Sequence, residues 1–240
     1  MGLFTMTVFF QKGGIFMYPI LLVLVTGIAI TIERWFELNR VRSLNRKMWD
    51  VLYPMLDKGE FDKARTVISK DKSTISQMLG MGLARIGVAR RREDLEIAME
   101  ESMMEIIPQL ERRTPYVALL SNIATLLGLL GTIMGLIEAF TAVANANPAE
   151  KADLLSASIS VAMNTTAFGL MSAIPLLLLH AKLTSMTGQI VDGLEMASVK
   201  ALNCISDFNK RHFETKAAFS DDNRQVSNPE FRLETAPKIA

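Results

Sequence analysis

Three long apolar stretches constrain this 240-residue chain more than any other feature of its sequence. They cover residues 15–35, 114–144 and 154–180, and 50% of all residues are hydrophobic. About 20 apolar residues in a row are enough for a helix to cross the hydrocarbon core of a membrane. In that core every backbone polar group must be bonded within the chain, so each stretch is predicted to be a helix. We therefore predict an all-α membrane protein with three transmembrane helices.

The uneven distribution of basic residues predicts how the chain is oriented. More than half of the Lys and Arg residues lie in region 36–113, and some of them, such as Arg40 and Arg113, are close to the ends of the spans. The only basic residue in the loop at 145–153 is Lys151. Because basic residues near span ends stay in the cytoplasm, the N-terminus and this loop are expected in the periplasm, and region 36–113 and the C-terminus in the cytoplasm. The net charge of +1 gives no indication of nucleic-acid binding.

Periodicity and composition divide the rest of the chain. Residues 1–14 are predicted to form an external amphipathic segment, and residues 181–214 a cytoplasmic helix that continues the third span. Because so long a helix needs neighbours outside the membrane, the spans are expected to extend into a cytoplasmic helical bundle. Residues 215–240 are polar and aperiodic, which predicts a disordered tail. Within region 36–113, apolar periodicity predicts helices at 44–56, 61–69, 73–86 and 92–110.

Small and hydroxyl residues recur at steps of three and four in the second and third spans. The first set is Ser121, Thr125, Gly128, Thr132, Gly135, Ala139 and Ala142, and the second is Ser158, Ala162, Thr165, Gly169 and Ser172. This spacing places each set on one face of its helix. In a membrane such a face either lets two helix backbones approach closely or lines a narrow polar path.

Two sequence strings carry a resemblance to a known family. The string GLLGTIMGLIEAF in span two and the string TTAFGLMSAIPLLLLH in span three are similar to motifs of the MotA/TolQ/ExbB family, the channel subunits of bacterial ion-driven motors. The three-span layout matches the ExbB and TolQ branches. The resemblance implies a channel or stator subunit of the inner membrane that couples the flow of H+ or Na+ to mechanical work on the cell envelope or to transport.

The same resemblance implies the partners of the chain. They are further copies of the chain itself, in a homopentamer, and two copies of an ExbD- or TolR-like single-span protein that carries an Asp for the ion. A TonB- or TolA-like energy-transducing protein and lipid complete the set of implied partners. The resemblance implies no cofactor besides the transported ion.

Several residues match family positions. Thr132 and Thr166 match the threonines of spans two and three, and Glu33 and Arg34 match a Glu–Arg pair at the cytoplasmic end of span one. The family's Glu five residues before the span-three threonine is replaced by Val161, and a double threonine without that Glu is more similar to sodium-driven stator subunits. The residues assigned to the ion pathway are Thr132, Thr165, Thr166, Ser160, Asn164 and Glu138. The residues assigned to helix packing are Gly128, Gly135, Ala162, Gly169 and Pro175.

Each assignment has an alternative that the sequence leaves open. A threonine hydroxyl in a membrane helix can simply bond to the carbonyl one turn earlier. Asn164 can pack against another subunit rather than contact the ion, and Glu138 can extend to the outer interface rather than admit the ion. Glu33 and Arg34 can anchor the helix at the interface, or they can serve proton exit or partner contact.

No known catalytic or metal-binding motif supports an enzymatic function. The chain has no phosphate-binding loop, nucleophile elbow or dinucleotide fingerprint. Its two histidines, His180 and His212, are too far apart in sequence to suggest a metal site. We expect no enzymatic activity, and the alternative to a channel subunit is a non-conducting membrane scaffold that positions a single-span partner.

Overall fold

The computed structural model describes residues 14–86 and 92–227, and all regular secondary structure in these two ranges is α-helical. The helices are α1 (Met17–Asp57), α2 (Phe61–Ile68), α3 (Thr74–Ala84), α4 (Arg92–Glu111), α5 (Thr114–Asn145) and α6 (Lys151–Ser227). The predicted external segment at 1–14 lies outside the described residues except for Gly14.

Three stretches of the described chain are long and apolar enough to cross a membrane. They are Met17–Asp57, Arg92–Ala144 and Lys151–Phe208, and the apolar part of the second is α5. These stretches contain the three apolar runs of the sequence. The prediction of an all-helical chain with three candidate transmembrane helices is therefore confirmed.

The shorter helices were predicted closely, with one exception. The helices expected at 61–69, 73–86 and 92–110 correspond to α2, α3 and α4, with ends shifted by one or two residues. The separate helix expected at 44–56 is instead the end of α1, which runs unbroken from the first span to Asp57. No Gly or Pro interrupts residues 36–43, so nothing in the local sequence stops the helix there.

The C-terminal part of the chain also differs from the prediction. Helix α6 continues to Ser227, so residues 215–227 of the expected tail are helical. Polar composition was the basis for predicting disorder, but residues 194–227 contain neither Gly nor Pro and most of them are compatible with a helix. Residues 228–240 lie outside the described part of the chain.

The described chain divides into two compact units. The first contains the residues up to Arg42 together with Ile107–Val191, and its helices are the three apolar ones. Its buried cluster contains Ile20 and Val23 of α1, Ala124 of α5 and Ala173 of α6. Helix α1 also approaches α6 closely at Gly27, where an added Cβ would lie 2.7 Å from Leu176 Cδ2.

The second unit contains Ser43–Ile106 and the described residues from Asp192 onward. Its turn between α1 and α2 depends on Gly59, which has a φ of +75° and leaves no space for a Cβ beside the ring of Phe208. The rings of Phe61 and Phe208 meet edge to face, with their centroids 5.1 Å apart. Ser73 is the N-cap of helix α3, and its hydroxyl accepts a hydrogen bond from the backbone N–H of Ser76.

Candidate ion-pathway and helix-packing site

The closest approach between two apolar helices is made by glycines. A Cβ added to Gly169 of α6 would lie 2.8 Å from the carbonyl oxygen of Ala124 and 2.9 Å from Gly128 Cα, both on α5. A Cβ added to Gly128 would in turn lie 3.2 Å from Gly169 Cα. The two backbones therefore touch, and no side chain other than the hydrogen of glycine fits between them.

The same contact continues along both helices. A Cβ on Gly135 would lie 2.7 Å from Ala162 Cβ, and Gly131 has no space for a Cβ beside the methyl group of Thr165. The four small residues assigned to packing, Gly128, Gly135, Ala162 and Gly169, thus lie together between α5 and α6 of one chain. Gly131 belongs to this contact and was missed, although its spacing of three and four residues from Gly128 and Gly135 is the signal that could have revealed it.

The predicted stripe on α5 does not lie entirely within this contact. Gly128, Gly135 and Ala139 are buried, whereas Thr132 is half-buried and Thr125 is exposed. The buried face contains Gly and Ala because the backbones are too close for larger residues. Thr125 and Thr132 therefore lie at the edge of this buried face, where α5 leaves space for a neighbouring molecule.

The hydroxyl of Thr166 links the two helices. Thr166 Oγ1 donates a hydrogen bond to the carbonyl oxygen of Gly128 at 2.8 Å, and Gly128 lies one helical turn before Thr132. Thr132 Oγ1 donates to the carbonyl oxygen of Leu129 at 2.6 Å. Thr165, which is buried, donates to the carbonyl oxygen of Val161 at 3.0 Å.

These bonds determine what the hydroxyls can still do. A threonine hydroxyl has one proton to donate and lone pairs to accept with. Because the protons of Thr132 and Thr166 are directed at backbone carbonyls, each oxygen can act toward a further group only as an acceptor. Such an oxygen suits a protonated carboxyl group or a cation, and it does not suit an ionised carboxylate, which needs a donor.

The remaining assigned residues of spans two and three do not join the glycine contact. Ser160, Glu138 and Pro175 are exposed on the single chain, and Asn164 is half-buried. Helix α6 continues through Pro175. These positions leave the four side chains fully or partly accessible to lipid, to another copy of the chain or to a different partner.

The first unit contains a second polar contact between helices, and the sequence indicated only one of its two residues. Ser121 of α5 donates a hydrogen bond from Oγ to the carbonyl oxygen of Ala173 on α6 at 2.8 Å. Ser121 was recognised as part of a stripe, but its partner is 52 residues away and no local pattern identifies it. Together with the bond from Thr166, it fixes α5 and α6 at two levels.

Glu33 and Arg34 bind the short connection between α4 and α5. The buried guanidinium of Arg34 donates to the carbonyl oxygen of Leu110, in the last turn of α4, and to Glu37 Oε2 at 2.6 Å. Glu33 forms an ion pair with Arg113. Arg113 has a φ of +67°, an uncommon value for a residue with a side chain, and it directly precedes α5.

Two buried polar atoms at this connection are left over. Within the described chain, Arg34 Nε and Thr114 Oγ1 have no hydrogen-bond partner. Groups of this kind are usually satisfied by an ordered water molecule. Through these contacts the Glu–Arg pair of α1 holds the α4–α5 connection in place within one chain. This role was not among the alternatives that the sequence suggested for the pair.

Metal-binding side chains do not cluster in the described residues. Residues 14–86 and 92–227 contain no group of three or more His, Cys, Asp or Glu that could hold a metal ion.

Comparison with known proteins identifies the family. The model of the MotA/TolQ/ExbB proton channel family matches residues 70–196. A putative biopolymer transport protein ExbB homolog of Methanothermobacter thermautotrophicus is 27% identical over 189 residues, which are 78% of this chain and 66% of that protein. The chain thus spans just under two thirds of that relative's length.

Two further relatives support the same family assignment. The putative biopolymer transport protein ExbB-like 1 of Synechocystis is 28% identical over 190 residues, 76% of this chain and 72% of the relative. The Tol-Pal system protein TolQ of Haemophilus influenzae is 33% identical over 87 residues, 36% of this chain and 38% of TolQ. With its three apolar helices and a family match over more than half of its length, the chain belongs to the MotA/TolQ/ExbB proton channel family.

Proposed function

We propose that this protein is the channel or stator subunit of an inner-membrane motor driven by ion-motive force. In the proposed complex an ExbD- or TolR-like single-span partner carries the ion on an Asp, and the pair couples ion flow to mechanical work on the cell envelope or to transport. The observation that carries the proposal is the pair of threonines at the edge of the α5–α6 contact, in a chain of this family.

The threonine chemistry supports a role in loading and unloading an ion. Both hydroxyl protons are directed at backbone carbonyls, so the oxygens can accept from a protonated Asp or bind a cation. A partner carboxyl that passes these oxygens is stabilised in its loaded form. Hydroxyl and carbonyl oxygens are also ligands of the hard kind that sodium prefers, by analogy with other hard cations. The proposal therefore includes either H+ or Na+ as the coupling ion.

Exposed apolar side chains of the second unit support the proposal that the chain assembles into a homopentamer. Its helices expose large apolar side chains more than half of whose surface is accessible, namely Ile97, Met104, Met196 and Val199. Under the proposed orientation this unit is cytoplasmic and forms the helical bundle, so lipid cannot cover those side chains. Neighbouring copies of the chain can cover them, and the two partner helices would then occupy the centre of the ring.

The proposed orientation places the N-terminus in the periplasm and the C-terminus in the cytoplasm. It rests on the basic residues near the cytoplasmic ends of the spans, which include Arg112 and Arg113 before α5 and Lys182 after the third apolar run. The ion pair between Arg113 and Glu33 lies at the same end of the spans. The loop between α5 and α6 contains only Lys151 as a basic residue.

One observation favours the alternative function, a non-conducting scaffold that positions a single-span partner. Most small residues of the two stripes are used in packing within one chain, as the contacts of Gly128, Gly135 and Gly169 demonstrate. Small residues that pack in this way need no ion path to explain them. The scaffold therefore differs from the channel in what Thr132 and Thr166 do.

A comparison of threonine variants separates the two functions. Thr132→Val and Thr166→Val should each leave the oligomer assembled and lower motor-dependent growth or uptake about tenfold or more, because a bond to a charged group contributes about 1.5–3 kcal/mol. Thr132→Ser and Thr166→Ser keep the hydroxyl and should retain most activity. Thr26→Val is the matched control, since Thr26 is exposed on α1 and its hydroxyl bonds within its own helix to the carbonyl oxygen of Leu22. Full activity in both valine variants would favour the scaffold.

A further inference from the structure

Helix α4 has an exposed face that combines large apolar side chains with acidic ones. Its members are three or four positions apart, so they lie on one side of the helix, and they are Glu93, Ile97, Glu100 and Met104. Ile97 is 57% exposed and Met104 is 73% exposed. Within the described residues, neither Glu93 nor Glu100 has an ion-pair partner. We call these four residues the acidic face.

A face with matching spacing and the opposite charge lies on the last turns of α1. Its members are Leu44, Lys47 and Val51, and all three are exposed. On both faces the two apolar residues are seven positions apart and a charged residue lies between them. Arg46 and Asp50 lie at one border of this face and carry opposite charges, so Lys47 determines its net charge. Lys47 has no ion-pair partner in the described chain, and we call these three residues the basic face.

The two faces belong to the second compact unit, and the contacts of α6 relate them to each other. Toward higher residue numbers, α6 contacts α4 first at Met99 and then at Arg92. In the same direction it contacts α1 first at Tyr53 and then at Gly59. The two helices therefore run in opposite directions in this unit. Met99 and Tyr53 contact positions of α6 only two residues apart, so the acidic and basic faces lie at similar levels.

We propose that the acidic face of one copy of the chain binds the basic face of the next copy in the oligomer. The antiparallel direction and the common level give the facing pairs Lys47 with Glu100, Leu44 with Met104 and Val51 with Ile97. Two different surfaces of one chain that fit each other form a head-to-tail contact, which closes into a ring when the rotation between copies allows it. This inference rests on the proposed homo-oligomer and adds the surfaces through which its copies meet.

The charges favour the basic face over the other exposed apolar face in this unit as the partner of α4. On α6, Met196 and Val199 are exposed, but Asp192 and Glu195 lie beside them. The nearby Lys200 lies over the ring of Tyr53 in its own chain, with 5.8 Å between its Nζ and the ring centroid. Acidic residues on both sides of a contact repel each other, and an interface with complementary charges avoids this repulsion.

Charge reversal in the full-length chain tests the proposed pair. Lys47→Glu and Glu100→Lys should each weaken association of the purified subunits about three- to tenfold, because attraction is replaced by repulsion. The double variant with both changes should recover association, because it restores opposite charges. Arg46→Glu is the matched control, since it makes the same charge change on the same helix outside the basic face. Energy transfer between subunits that carry different dyes, followed on dilution in mild detergent, measures association.

Cross-linking between two populations of the chain tests the contact itself. With Cys204→Ser as background, subunits with Leu44→Cys are mixed and reassembled with subunits with Met104→Cys, and a short thiol cross-linker is added. Because each subunit then has a single cysteine, any product that contains both variants joins two chains. We expect such a product for this pair and much less of it when Arg46→Cys replaces Leu44→Cys.

The contrary results separate the interface from the proposed function. An assembled oligomer in which both charge reversals associate as tightly as the unsubstituted chain, or in which Leu44→Cys and Met104→Cys do not cross-link, would overturn this interface. The homo-oligomer and its ion flux would then remain, and the two faces would be assigned to a different protein partner. An unsubstituted chain that stays monomeric would overturn the interface and the homo-oligomer together.

Discussion

The guanidinium of Arg34 donates a hydrogen bond to the carbonyl oxygen of Leu110, and this bond joins the first apolar helix to the last turn of α4. The last carbonyls of a helix have no partner within it and carry a partial negative charge. A buried arginine is well suited to this position because its planar group can bind Leu110 and Glu37 together. The connection from α4 into the candidate pathway helix α5 is thereby held by a residue of α1.

Replacing Arg34 should destabilise this connection. We expect Arg34→Met to lower the free energy of unfolding by about 2 kcal/mol, because a hydrogen bond to a charged group is lost and the Leu110 carbonyl is left buried. Arg34→Lys should recover only part of the loss, since lysine cannot bind both acceptors in the same way. Thermal unfolding in mild detergent measures the change, with Arg42→Met as the control on an exposed arginine of the same helix. Equal melting temperatures for Arg34→Met and Arg42→Met would contradict this role.

A second prediction about stability follows from the glycine contact between α5 and α6. Gly169→Ala should destabilise the protein by about 1–3 kcal/mol, because its Cβ would lie 2.8 Å from the Ala124 carbonyl oxygen and the helices would have to separate. Gly193→Ala is the same chemical change at an open position and should be neutral or stabilising. Unfolding experiments on the two variants give the comparison, and a change in the free energy of unfolding that is no more destabilising for Gly169→Ala than for Gly193→Ala would show that the close contact is not required.

The fold was largely predictable because its main determinants are local. Apolar runs of sufficient length predicted the three long helices, and apolar periodicity predicted α2, α3 and α4. The ends of α1 and α6 were misjudged because the signals used, a change in composition and an aperiodic polar sequence, do not themselves break a helix. Pairings across the chain were not predictable. Arg34 and Leu110 are 76 residues apart, and nothing near either of them identifies the other.

The threonines of the candidate site were likewise predictable only in part, because one of their contacts is with a distant part of the chain. Their positions on the helices were given by spacing and by resemblance, but the direction of each hydroxyl proton was not. Thr166 bonds across to Gly128, whereas Thr132 bonds within its own helix to Leu129. Only the approach of the two backbones, set by Gly128 and Gly169, brings the carbonyl of α5 within reach of Thr166.

The start of α3 should respond to acid. Burial raises the pKa of Asp71, but hydrogen bonds donated by the hydroxyls of Ser73 and Ser76 and by backbone N–H groups of Ser73 and Lys72 outweigh it, so the pKa lies below its ordinary value. A lowered folded-state pKa gives stability that is complete above the unfolded pKa of about 4 and is lost as the pH falls through the folded value.

Amide hydrogen exchange at Ser76 is a local measure of that effect. After correction for the intrinsic pH dependence of exchange, protection of this amide should be constant above about pH 5 and should decrease below about pH 4. In Asp71→Asn the decrease should be absent, because the amide side chain does not titrate. The substitution Asp57→Asn provides a control on a carboxylate outside the α3 cap. Persistence of the acid-induced loss in Asp71→Asn would rule out Asp71 as its source.

The most direct test of the proposed motor is ion flux through the purified complex of this chain and its single-span partner in proteoliposomes. We expect flux at fixed membrane potential and pH, and we expect Thr132→Val and Thr166→Val to reduce this flux and Thr26→Val to leave it unchanged. Repeating the measurement in sodium-free potassium medium, with a proton uncoupler as control, separates the two ions: flux that requires sodium supports Na+, and undiminished flux supports H+. Absence of any flux above partner-free liposomes, in a complex confirmed to be assembled, would contradict the motor and leave the scaffold.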